Sequence, residues 1–93
     1  MEELFNEIEN IIDQLISNVQ VLMHIAFDPK FGEETHGLQK TQESLLARLI
    51  ELDIQLEELD LKSSKNKRMH IIEEKLSRFG HLNSELTSRA YSR

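Results

Sequence analysis

The side chains best equipped for chemistry are four histidines, His24, His36, His70 and His81, among 17 aspartates and glutamates. A zinc or general acid–base centre needs such groups close together, as in a pair of histidines within one or two helical turns. No two of these four are that close in sequence. There is no cysteine, hence no thiolate ligand, disulfide or cysteine nucleophile. No glycine-rich phosphate loop, no G-x-S-x-G elbow and no H-E-x-x-H pair occurs. These absences point to a protein that is not an enzyme and holds no metal or cofactor. What remains is the chemistry of apolar surface. "LLARLIELDIQLEELD", residues 45–60, carries two apolar stripes where a one-sided helix has one. Leu38, Leu45, Leu49, Leu52, Leu56 and Leu59 make the first, at heptad spacing with Gln42 as its one interruption. Ala47, Ile50, Ile54 and Leu61 make the second, spaced as one helix face requires and flanked by Glu43 and Glu57. An apolar line with a charged rim marks an association surface, either for a partner protein or for a second copy of the chain. The competing expectation is that this helix is the central one of its bundle and buries both stripes.

Three helices are needed to carry these stripes, over about residues 3–27, 38–61 and 65–89. In the first, Leu4, Ile8, Ile11, Ile12, Leu15, Ile16, Val19, Leu22, Met23 and Ala26 share one broad face, wide enough for two neighbours. Val21 and Ile25 fall off it. "FDPKFGEETHG" reads as a loop, because Pro29 cannot continue a helix ladder and Gly32 and Gly37 punctuate the rest of the stretch. Thr35 is a candidate N-cap for the second helix, and Phe27 and Phe31 are expected to fold over the end of the core. The heptad stripe, extended past Leu59, would land on Ser63, Asn66, His70 and Glu73. The apolar phase restarts at Met69, so a break is expected between Asp60 and Asn66. The third helix presents Ile72, Leu76, Phe79, Leu82 and Leu86. Gly80 inside it predicts a frayed last stretch. The expected fold is all-α, a single domain of 93 residues built as an antiparallel three-helix bundle. A helical hairpin whose third helix docks on a partner is the alternative.

Composition narrows the class further. Net charge is −6. Residues 1–60 hold 14 acidic and 3 basic side chains, and residues 61–93 hold 3 acidic and 8 basic. That split suits a basic last helix lying beside acidic ones. It also repels phosphate over two thirds of the chain, so nucleic acid is not an expected partner. No apolar run approaches the roughly 20 residues of a membrane span, and the acidic start lacks the basic region of a secretion signal. A cytoplasmic location is the expectation.

Residues 38–80 resemble the BAG domain, a three-helix module that binds the nucleotide-binding domain of Hsp70 chaperones. The resemblance rests on "ESLLARLIELD" followed by "KNKRMHII". It implies that Glu43, Asp53 and Arg68 contact the chaperone. The family's next polar contact on the third helix falls near Leu76, which is apolar here. In size, acidity and lack of cysteine, the chain is also similar to the small helical co-chaperones of bacterial type III and flagellar export, which would make an export substrate or a co-chaperone subunit its partner. Either resemblance implies a helical co-chaperone or adaptor. A subunit of a helical homo- or hetero-oligomer is the alternative. The partner-binding residues expected are Glu43, Ala47, Ile50, Asp53, Ile54, Leu61 and Arg68.

Overall fold

Glu2, Glu3 and Glu7 crowd the start of the chain, where the positive end of a helix dipole favours carboxylates. In the computed structural model, which describes residues 2–58 and 67–91, the first helix, α1, runs Glu2–Ile25. It ends at a tight corner. Asp28, in extended conformation, accepts a bond from the Lys30 backbone N–H at 3.0 Å. Pro29 then opens a short 3-10 turn, Pro29–Phe31, as proline does where its missing N–H is not needed. This turn runs directly into α2, Gly32–Glu58, and α3 comes next as Lys67–Tyr91.

The helices form a three-helix bundle in which α1 packs against both α2 and α3. α2 runs antiparallel to α1, as Asn18 bonding to Leu38 and Glu7 to Arg48 shows. α3 runs antiparallel to α2 and alongside α1, placing Lys75 on Asp13. The body measures 45 × 21 × 16 Å. α1 supplies most of the core: Phe5, Ile8, Ile11, Ile12, Leu15, Ile16, Val19 and Leu22 are all buried. α2 adds only Leu52 and Leu56, and α3 adds Met69, Ile72 and Phe79.

Several expectations need correction. The second helix starts at Gly32, six residues before Leu38, so most of "FDPKFGEETHG" is helical. Pro29 begins structure here, and Glu33 and Glu34 sit in the favourable first turn of α2. Thr35 is therefore no N-cap; its hydroxyl donates to the Ile25 carbonyl at 3.5 Å, tying α2 to the end of α1. Phe27 is half-buried, but Phe31 stays exposed at the corner. α3 carries Gly80 in its interior, as expected, and continues to Tyr91. Phe5, absent from the expected stripe, is buried at its start. The break expected between Asp60 and Asn66 lies outside the described residues. α2 is not the central helix. That place belongs to α1, whose wide apolar face touches both neighbours.

Candidate protein-docking cleft

Because α1 takes the centre, α2 and α3 meet along a shallow seam of unequal character. At one end the seam is polar. Asn18, buried on α1, donates through its amide to the Leu38 carbonyl at 2.9 Å and to Gln42 Oε1 at 3.4 Å. Gln42 Nε2 in turn donates to Asn83 Oδ1 on α3 at 3.2 Å. One amide from each helix thus forms a relay, and Gln42, where the leucine heptad lapses, is its middle member. A buried polar group must be bonded, and no buried side-chain nitrogen or oxygen lacks a partner among the described residues. A shallow groove over this relay is lined by Gln39, Glu43 and Leu46 of α2 and by Leu86 of α3.

Toward the other end the seam opens into an apolar cleft of about 190 Å³. Leu49, Ile50 and Leu56 of α2 form one wall, and Met69, Ile72 and Leu76 of α3 form the other. Ile8 of α1 is the floor and, among the described residues, Asp53 is the one charged liner. The lips are open to solvent: Ile50 is 62 % exposed and Leu76 37 %. Leu76 was expected in the core. It sits on the α3 face toward α2, where the two helices are too far apart to cover it.

The expected binding residues fall into three groups. Ile50 and Asp53 line the cleft, and Glu43 lines the neighbouring polar groove. Ala47 and Ile54, exposed three residues before and four after Ile50, extend an apolar line outward along α2. Leu61 and the side chain of Arg68 lie outside the described residues. The α3 wall of the cleft was missed; the spacing of Met69, Ile72 and Leu76 gave a face but not the neighbour it lacks.

Ion pairs decorate the opposite flanks. Arg48 forks onto Glu7, with closest approach 2.6 Å, and reaches Glu51 at 2.9 Å. The bonds to Glu7, then those to Glu51, hold its pKa above the ordinary value. Lys75 lies 2.9 Å from Asp13 and 3.6 Å from Glu9; the bond to Asp13 is the main cause of its raised pKa. The basic third helix does pair with acidic α1 at this point. All four histidines are exposed, and among the described residues no three histidines, aspartates or glutamates are grouped to hold a metal ion. No described helix is long and apolar enough to cross a membrane. No family model, no curated protein and no solved structure matches this chain.

Proposed function

We infer that the chain is a non-enzymatic protein-interaction module of co-chaperone or adaptor type, which docks a partner protein on the α2–α3 face. The observation that supports this most is Ile50: an isoleucine 62 % exposed at the lip of an apolar cleft. A single exposed apolar residue is ordinary. Ile50 is continuous with Leu49 and Leu76 across the cleft and with Ala47 and Ile54 along α2, and such continuity is the mark of an interface. Burying Ile50 and Ile54 against a partner is worth about 1.5–3 kcal/mol each.

The BAG resemblance names one partner to try, the nucleotide-binding domain of an Hsp70 chaperone. In its favour, Glu43 and Asp53 both border the α2–α3 seam. The test is retention of proteins from native lysate by immobilised chain, wild type against Ile50→Glu with Ile54→Lys. The new charges stand at i and i+4 in the order that favours a helix. The variant should keep its helical circular dichroism and lose proteins that the wild type retains. Equal retention by both would contradict the function proposed.

A further inference from the structure

Resting on the docking function just proposed, we propose that the occupant of the cleft is an amphipathic helix of a partner protein, apolar on one side and flanked by lysine or arginine. Size narrows the class. At about 190 Å³ the cleft is smaller than the roughly 300–1,000 Å³ of small-molecule sites, so it admits one or two side chains of a larger body. Shape narrows it again. The walls are two antiparallel helices with apolar lips, Ile50 on one and Leu76 on the other. A helix lying between them sets apolar knobs at i, i+3, i+4 and i+7 against both walls.

Charge then selects among helices. Asp53, which has an interaction of its own within the chain, lines the cleft, and the exposed Glu43 lines the groove that continues it. Glu73, four residues after Met69 and three before Leu76, is exposed on the same side of α3. No lysine or arginine lines either groove among the described residues. Arg48 and Lys75 are instead engaged with Glu7 and with Asp13 and Glu9. Rim carboxylates of this kind act on encounter rate and choice of partner more than on raw affinity, and salt screens them. A basic flank is attracted and an acidic one repelled.

Two synthetic helical peptides of equal length and identical leucine stripe, one with lysine and one with glutamate at the flanking positions, make the test. Each is titrated onto the full chain by fluorescence anisotropy at low and high salt. The lysine peptide should bind about tenfold tighter at low salt, with the difference shrinking at high salt. Ile50→Ser should weaken both peptides while the thermal melt stays near wild type. Glu43→Gln with Glu73→Gln should reduce the preference for lysine without abolishing binding. Equal binding of the two peptides, still sensitive to Ile50→Ser, would overturn the basic-helix proposal and leave the docking function standing. A lysine preference unchanged by the two glutamine substitutions would do the same. Binding of neither peptide would overturn both.

Discussion

α1 and α2 are close in length, 24 and 27 residues, and both are supplied with leucine and isoleucine. α1 buries eight apolar side chains and α2 buries two. Burial in this bundle depends on position, not supply. α1 lies between its neighbours, so a wide apolar arc is covered from two sides. α2 is covered by α1 on one side only, and α3 meets it across an open seam. Leu49 is consequently half-buried, and Ile50 and Ile54 are left in solvent. The apolar residues that α2 cannot bury at home are the ones available to a partner.

The largest expected effects come from the covered side. Ile12→Ala and Leu15→Ala on α1, and Leu52→Ala on α2, should each cost about 2–5 kcal/mol in urea unfolding. A domain of this size has roughly 5–15 kcal/mol in total. Ile50→Ala should stay within about 0.5 kcal/mol of wild type, as an exposed site does. If Ile50→Ala costs as much as Leu52→Ala, the contrast between the sides of α2 fails.

Next comes the polar end of the seam. Asn18→Ala strands Gln42 beside the core and should cost about 1–3 kcal/mol. Asn18→Leu combined with Gln42→Leu and Asn83→Leu removes all three amides of the relay together and should come closer to neutral. If the triple variant is the worse of the two, the relay is not what holds this end of the seam.

How much of the fold and the cleft is legible in the sequence depends on what decides each residue's fate. The α1 stripe from Ile8 to Leu22 can be read directly, because a helix with so many apolar residues at one spacing has only one way to be amphipathic. Leu52 and Leu56 of the leucine heptad, and Met69, Ile72 and Phe79, are equally plain. Asn18 is not. It lies three residues after Leu15 and four before Leu22, inside the buried arc, but an isolated polar residue does not say which carbonyl it will find. Gln42, the gap in the heptad, is the available signal. The start of α2 is hidden by Pro29, which breaks a helix in its interior and starts one at its first turn. Leu76 and Ile50 have the same side-chain character as their buried neighbours. Their exposure is set by the gap between two helices, a distance no periodicity contains.

Glycine offers a smaller test of the same two helices. Gly37 in α2 and Gly80 in α3 are helical, and a Cβ at either would meet nothing within 4 Å. Gly37→Ala and Gly80→Ala should each stabilise by about 1 kcal/mol, raising the melting temperature by ~4–8 °C. A fall in melting temperature for either would mean that its Cβ meets a neighbour.

The smallest effect belongs to the flanking ion pairs, which are exposed and screened. Lys75 has its pKa raised above 10.5 by Asp13, so its folded state holds a proton more firmly than the unfolded chain. Its contribution is present in full below 10.5 and is lost as pH rises through the higher folded value. Lys75→Met should therefore lower stability slightly at neutral pH and flatten the matching small decline at strongly alkaline pH. A large loss at neutral pH would assign Lys75 a packing role.

The most direct measurement sets two neighbouring positions of α2 against each other. Ile50→Glu and Leu52→Glu place the same charge two residues apart, at sites 62 % and 1 % exposed. Thermal unfolding of the dilute chain, followed by circular dichroism, should leave Ile50→Glu melting close to wild type and Leu52→Glu largely unfolded, because an unpaired carboxylate is tolerated in water and not in an apolar core. If Ile50→Glu unfolds as Leu52→Glu does, Ile50 is core, α2 has no spare face, and there is no docking surface.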